Sequence, residues 1–203
     1  FKKKIFVESD KSLSIRWILF SSLSSKKSVA NNLLMSEDVL SAIDCIRKLG
    51  SKVKFKGNKC EIIGNGLKYK IKNNLILNAG NSGTLGRLLL GLLVNSEKKI
   101  KLIGDKSLSK RDFSRIINPL KKFGAKFSSN MNKLPIYIKG LKNPKPIYFL
   151  EKKGSAQCKT SVMFAALKTK GLTIIKAKKS RNHTELMIKN LKIPMSIKKT
   201  KKF

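Results

Sequence analysis

Carboxylates are scarce in this sequence. Its 203 residues carry 11 Asp and Glu against 46 Lys and Arg, a formal net charge of +35. With a single histidine, His183, and no CxxC or Cys/His spacing, it has little material for a metal site. The three cysteines, at 45, 60 and 158, lie far apart. Cys45 and Cys60 fall in apolar-periodic surroundings and read as small core residues of a reduced, intracellular chain. Aromatic residues make up 7%, thin material for stacking nucleic-acid bases. No run of 18 apolar residues exists, so no membrane-spanning helix is expected. Nor are residues 1–4 followed by the apolar stretch of a signal peptide. Residue 1 is Phe, and the sequence stops at Lys201-Lys202-Phe203, so the chain is expected to be a fragment.

Arginine is rare as well. It occurs six times, at 16, 47, 87, 111, 115 and 181, beside 40 lysines. A surplus of Lys with 21 Ile and 15 Asn is what AT-rich codons write, and the lysines are spread along the whole chain. The excess charge is therefore read as composition bias on solvated faces in preference to a polyanion footprint. Against that background each arginine is informative. Its planar fork grips phosphate or carboxylate bidentately, which lysine cannot reproduce. The alternative for any one of them is a surface salt bridge.

What is present is a globular composition, 41% apolar and 28% charged, at a length that fits one domain or slightly more. A helix–strand–strand text recurs. Val39, Leu40, Ile43, Ile46 and Leu49 have helical spacing after Ser36-Glu37-Asp38 and stop at Gly50, followed by strands at 52–56 and 60–63 around a Gly57-Asn58 turn. Ile116, Ile117, Leu120 and Phe123 repeat the stripe up to Gly124, with strands at 125–127 and 136–138. A third copy begins at Leu186, Ile188 and Leu191 and predicts a strand over Pro194–Ile197, with Lys192 where the other copies place glycine. Further helices are predicted over 14–23, 84–94 and 156–167, and strands over 99–103 and 173–177. The economical reading is a strand-helix-strand-helix-strand-strand unit of about 70 residues, used three times around a shared core.

Four polar segments lead into helices. Ser9–Arg16 offers Lys11, Ser12 and, one turn on, Arg16, which would converge at a helix start. Gly80–Arg87 is glycine-rich, with Ser82 or Thr84 to cap the helix and Arg87 in its first turn; its spacing is neither a Walker A loop nor a dinucleotide fingerprint. Gly104–Arg111 follows a strand. The fourth has two parts, Gly154–Lys159 and Ser180–Glu185. Four of the six arginines lie in these segments, beside small hydroxyls and amides. That combination suits a small ligand bearing phosphate and carboxylate groups.

From about Asp10 to Leu191, DKSLSIR, NLLMSEDV, GNSGTLGRLL, GDKSLSKRDFSRIINPLKKFGA, GSAQCKTSVMFAAL and SRNHTELM follow one another. In that order, and with these approximate spacings, they resemble the first half of the 5-enolpyruvylshikimate-3-phosphate synthase family. The resemblance implies an α/β, enolpyruvyl transferase-like domain over residues 11–203. Three repeated βαβαββ units, the last truncated, would surround a shared helical core, and residues 1–10 would be a strand or crossover belonging to a second domain. It implies transfer of the enolpyruvyl group of phosphoenolpyruvate to the 5-hydroxyl of shikimate 3-phosphate, releasing phosphate, with no metal or organic cofactor. A cytoplasmic, monomeric enzyme binding neither nucleic acid nor membrane is implied as well.

By the same resemblance Lys11 is catalytic and lies between both substrates, with Ser12 and Arg16 on the shikimate side. Gly83 and Arg111 contact phosphoenolpyruvate, and Gly83 also lies where glyphosate competes. Ser155, Ala156 and Gln157 hold the shikimate phosphate and ring, Gln157 also reaching phosphoenolpyruvate. Ser180 and Arg181 complete that pocket, and Asn81 and Arg87 shape the Gly-rich loop. The family's acid, base and further arginines belong to its second half, so the chain alone is expected to be inactive.

The sequence departs from the family at Ser9, Asp112 and Lys192, where glycine, proline and glycine are usual. The sister enzymes that act on a UDP-linked aminosugar typically carry a cysteine in the loop matching Gly104–Arg111, and none occurs here between Cys60 and Cys158. RNA phosphate cyclases use related repeats but need a catalytic histidine and a nucleotide site that are not found. A basic nucleic-acid-binding module is the alternative of another class.

Overall fold

The computed structural model describes residues 9–198 apart from 68 and 70. Three passes of one chain path make up the fold. The first runs α1 (Lys11–Ser22), β1 (Lys27–Asn31), α2 (Glu37–Lys48), β2 (Lys52–Lys56) and β3 (Lys59–Ile63). The second runs β4 (Leu75–Asn78), α3 (Gly83–Leu92), β5 (Ile100–Ile103), the single turn α4 (Lys106–Ser109), α5 (Ser114–Lys122), β6 (Lys126–Ser128) and β7 (Ile136–Lys139). The third runs β8 (Tyr148–Glu151), α6 (Ala156–Leu167), β9 (Ile174–Ala177) and α7 (His183–Asn190).

The sheets show the repeat directly. In the second pass the order is β4-β5-β7-β6, with β4 and β5 parallel and the other pairs antiparallel. The first pass has the last three members of that order, β1-β3-β2, and the third has its first two, β8-β9, in parallel. Equivalent hydrogen bonds recur too. Asn65 N donates to Ser22 O at 3.2 Å, tying the end of β3 to the end of α1, as Leu141 N donates to Val94 O at 2.9 Å behind β7 and α3. The expected α/β class is thus the observed one; the second pass carries the full βαβαββ order, whereas among the described residues the first begins at α1 and the third ends at α7. Of residues 1–10, expected to be a strand or crossover, 1–8 lie outside the described residues; Asp10 caps α1, accepting from Leu13 N at 2.6 Å.

Periodicity decides which helices go inside. α2 buries one stripe, Val39, Ala42, Ile43, Cys45 and Ile46, and lies on the outside. α1, α3 and α6 are buried nearly all round and form the shared core. α3 and α6 approach so closely that a Cβ at Gly91 would meet Ser161 O at 2.1 Å. Phe20 of α1 packs on Phe164 of α6, ring centroids 4.8 Å apart. Each fully buried Leu, Ile or Phe in such a core contributes about 1.5–3 kcal/mol. All three cysteines are buried and free, and burial pushes the Cys45 thiol up to about 12.

The third pass departs from the expectation at its end. Pro194–Ile197 forms no strand: Pro194 has no N–H for a ladder, and Ile197 is 61% exposed. Lys192 does occupy the helix-ending position of Gly50 and Gly124, with φ +53° against +95° and +99°. The bond from Ile193 N to Ile188 O (3.1 Å) matches that from Ser51 N to Ile46 O (2.9 Å). A side chain in this left-handed conformation costs about 1–2 kcal/mol, partly offset by the entropy glycine loses on folding. Lys192→Gly should therefore stabilise the chain by about 0.5–1 kcal/mol, read as a raised urea midpoint at unchanged m-value.

One buried lysine fastens the third pass to the link between the first two. Lys168, just after α6, donates to Leu67 O at 2.7 Å and lies 3.7 Å from the Tyr69 ring centroid, while the Tyr69 hydroxyl meets Ser22 Oγ at 3.1 Å. Burial pushes the Lys168 ammonium down to about 7. Between pH 7 and about 10.4 the unfolded chain therefore holds a proton that the folded chain releases, and stability rises with pH across that window. From pH 7.5 to 9.5 the wild type should gain about 2 kcal/mol more than Lys168→Met, compared by urea unfolding at both values.

Candidate functional site

A cavity of about 310 Å³ opens where four helices begin. Ser12 comes from the first turn of α1, Thr84 from α3, Ala156 and Gln157 from α6, and His183 from α7, while Arg16, Gly154, Ser155, Ser180 and Arg181 complete the lining. Local sequence builds these starts. Asp10, Ser82 and Ser155 each sit one residue ahead of a helix in extended backbone, and each side chain accepts an amide of the first turn. Helix starts attract anions through their free N–H groups and the positive end of the dipole.

The cavity is cationic, and no carboxylate among the described residues lines it. Arg16 is 3% exposed. Its Nε donates to Thr184 Oγ1 at 2.9 Å and its Nη1 to Ser12 O at 3.0 Å. Burial lowers its pKa and Arg181 adds to that, while Asp10 and Glu185 oppose it; a guanidinium stays charged regardless. The buried atoms Ser180 Oγ and His183 Nδ1 have no hydrogen-bond partner among the described residues. Ser36 Oγ, Ser51 Oγ and Glu185 Oε2 are likewise buried without a partner among the described residues, although buried polar atoms are nearly always paired.

A second cationic group adjoins the first through Gln157. Arg87 Nη1 donates to Gln157 Oε1 at 2.9 Å and to Gly83 O at 3.3 Å. A Cβ at Gly83 would lie 2.8 Å from Arg87 Nη1 and 2.9 Å from Arg111 Nη1, so a side chain there would push the two guanidiniums aside. Gly83, Arg87 and Arg111 thus gather around the start of α3. Asn81 is exposed in the turn before it and does not line the cavity. Lys11 does not join Ser12 and Arg16. Residues 12 and 16 stack one turn apart on one face of α1, whereas Lys11 points to α2 and pairs with Asp38 at 3.1 Å.

Several supporting residues escape a reading of the sequence. Thr160 and Thr184 share a hydrogen bond of 2.7 Å behind Arg16, and Lys159 and Glu185, their chain neighbours, form a buried ion pair. Buried Glu151 accepts from Ser155 N at 2.9 Å and from Lys153 N at 3.0 Å, shaping the loop before α6. Gln157 Nε2 donates to Thr84 Oγ1 at 2.9 Å. Lys159, Thr184 and Glu185 lie in the polar segments without any sign of their partners, and the hydroxyl at 84 reads as a possible cap, a part that Ser82 takes instead.

A second concavity of about 310 Å³ lies between α2 and β4, but its chemistry is spent internally. Asp44 there pairs with Arg47 at 3.7 Å, and Cys45 Sγ donates to Asn78 O at 3.3 Å. Among the described residues no group of three His, Cys, Asp or Glu could hold a metal ion, and no helix is long and apolar enough to cross a membrane.

Four helix starts and two guanidiniums, with no lining carboxylate among the described residues, make a cationic cavity on a repeat-built α/β domain. The family model for EPSP synthase (3-phosphoshikimate 1-carboxyvinyltransferase) matches residues 1–203, and the chain belongs to that family. It is 42% identical over 192 residues to a 3-phosphoshikimate 1-carboxyvinyltransferase of Caldicellulosiruptor saccharolyticus, covering 93% of this chain and 44% of that protein. A 3-phosphoshikimate 1-carboxyvinyltransferase of Streptococcus agalactiae is 40% identical over 200 residues, covering 97% and 47%. Among solved structures, an EPSP synthase from Acinetobacter baumannii superposes with a TM-score of 0.89 at 32% identity, over 98% of this chain and 45% of that one. The chain thus spans about half the length of the curated relatives it matches.

Proposed function

We propose that the chain is the front part of an enzyme that transfers the enolpyruvyl group of phosphoenolpyruvate to the 5-hydroxyl of shikimate 3-phosphate, releasing phosphate. The observation that carries this is the cavity at the four helix starts, lined by Arg16 and Arg181. In this reading Ser12, Arg16, Ser155, Ala156, Gln157, Ser180 and Arg181 hold shikimate 3-phosphate. Gly83 and Arg111 take phosphoenolpyruvate beside it, with Asn81 and Arg87 shaping the loop. Lys11 serves both substrates. Its pair with Asp38 is half-exposed and worth at most about 1 kcal/mol, so a dianion outcompetes it.

The chemistry is positioning and charge neutralisation. Two phosphorylated substrates repel each other, and cations on both sides bring the hydroxyl against the vinyl carbon. The acid and base of the addition and elimination come from the rest of the protein, so this chain alone is inactive. Residues 1–10 belong with that other part. The complete enzyme is a cytoplasmic monomer that needs neither metal nor organic cofactor and binds no nucleic acid.

Calorimetric titration of the chain tests the reading. Shikimate 3-phosphate should bind one to one, and shikimate, which lacks the phosphate, at least about 30-fold more weakly, since a lost charge-assisted contact is worth about 2 kcal/mol or more. Binding of neither would overturn it. So would equal binding of both, or tight binding of single-stranded RNA with a log–log salt slope of several units.

A further inference from the structure

We propose that Arg87 is a positioning residue: it fixes the side-chain amide of Gln157 so that the amide nitrogen, and not the oxygen, is presented to the anion cavity. The inference rests on the reading of that cavity as the shikimate 3-phosphate site. Gln157 Oε1 lies 2.9 Å from Arg87 Nη1, and Gln157 Nε2 lies 2.9 Å from Thr84 Oγ1. A guanidinium has donors and no acceptor, so the Gln157 atom that faces it must be the oxygen; the opposite orientation would set N–H against N–H. The Thr84 hydroxyl either donates or accepts, and here it accepts. One of the two amide N–H groups is thereby used on Thr84, and the other is left for a ligand in the cavity that Gln157 lines.

Arg87 is itself held at both ends. Its guanidinium lies 5.3 Å from the centroid of the Phe113 ring and also donates to Gly83 O, while its backbone carbonyl accepts from Ser161 Oγ at 2.9 Å. Among the described residues it makes no ion pair with a carboxylate. Burial lowers its pKa, and neighbouring Arg111 adds to that. Arg87 does not line the cavity, so its effect on a ligand there passes through Gln157. A freed carboxamide would expose its oxygen to an anion half the time, replacing a donor by a repelling acceptor.

A double-mutant cycle separates this role from direct contact. Shikimate 3-phosphate is titrated into the wild-type chain, Arg87→Met, Arg87→Lys, Gln157→Ala and the double variant Arg87→Met/Gln157→Ala. Arg87→Met and Gln157→Ala should each weaken binding about tenfold, and Arg87→Lys, which keeps a donor, less than about threefold. The double variant should bind no more weakly than Gln157→Ala. A double variant weakened about a hundredfold would mean that Arg87 acts independently, and would overturn the proposal. A readout without ligand completes the test. The Gln157 side-chain NH₂ signals, identified by their loss in Gln157→Ala, should be dispersed and slow to exchange in wild type and in Arg87→Lys. In Arg87→Met they should collapse to free-glutamine positions. Signals unchanged in Arg87→Met would overturn the positioning role whether or not the ligand binds. Signals that depend on Arg87 in a wild-type chain that binds no shikimate 3-phosphate would instead keep the positioning role and refute the ligand.

Discussion

Arg16→Ala is expected to lower the affinity of the chain for shikimate 3-phosphate, the proposed ligand, by about 30-fold or more, a loss of about 2 kcal/mol at least. Three features set that size. The guanidinium is 3% exposed, so its field reaches the cavity with little screening by water. Bonds from Nε to Thr184 and from Nη1 to Ser12 O hold it at one orientation before any ligand arrives, so little entropy is lost on binding. Among the described residues no carboxylate lines the cavity, although Asp10 and Glu185 act on Arg16 from outside the lining. Arg16→Lys should recover only part of the loss, because an ammonium cannot make both anchoring bonds and still present a forked edge. Arg47→Ala serves as the control. That arginine pairs with exposed Asp44 at the other concavity, and its loss should leave the affinity unchanged. Titration beside urea unfolding separates binding from stability, since Thr160 and Thr184 keep their mutual bond without Arg16. An Arg16→Ala chain that bound as tightly as wild type would remove Arg16 from the site.

The two kinds of residue in that argument differ in how visible they are along the chain. Arg16, Ser12, Ser155, Gln157, Ser180 and Arg181 stand in short polar segments just ahead of apolar stripes, and capping chemistry is local, so their gathering at helix starts could be read from spacing. Ridges such as Val39–Ile46 placed the outer helices, and the glycines at 50 and 124 placed their ends. Thr160 and Thr184 meet Arg16 across 144 and 168 residues, and nothing near them in sequence announces the contact. Lys159 and Lys168 are buried, yet in a chain with 40 lysines no local signal separates these two from the solvated ones. Lys11 shows the limit from the other side. Its motif is plain, but side-chain direction on α1 sends it to Asp38 instead of toward Arg16. Short strands such as β1, with alternately half-buried and exposed residues, carry too weak a pattern to stand out, and Pro194–Ile197 carries a strand-like pattern without a strand.

Glu185→Gln should destabilise the chain by about 3–5 kcal/mol, because it leaves Lys159 buried and uncompensated. The two side chains are 10% and 12% exposed, so water does little to replace the lost partner. A domain of this kind is stable by only about 5–15 kcal/mol, and the loss is a large share of that. The pair itself is not a strong source of stability. Glu185 Oε2 is buried with no partner among the described residues, and desolvating both charges offsets most of their attraction. The double variant Lys159→Met/Glu185→Leu should therefore lie within about 1 kcal/mol of wild type, or above it. The damage from Glu185→Gln should be localised. Thr184 and Ile188 are the buried residues of α7, so its hold on the core depends on polar contacts, and hydrogen exchange should show α7 amides losing protection before those of α1, α3 and α6. Glu185 also opposes the loss of charge at Arg16. Removing its carboxylate makes the cavity more positive, so molecules that remain folded should bind shikimate 3-phosphate about threefold more tightly at low salt, with the difference shrinking as ionic strength rises. Stability falling while affinity rises is the outcome to look for, by urea unfolding and titration on the same preparation. A fall in both would mean that α7 must stay docked for the site to exist, and that Glu185 serves the cavity through position alone.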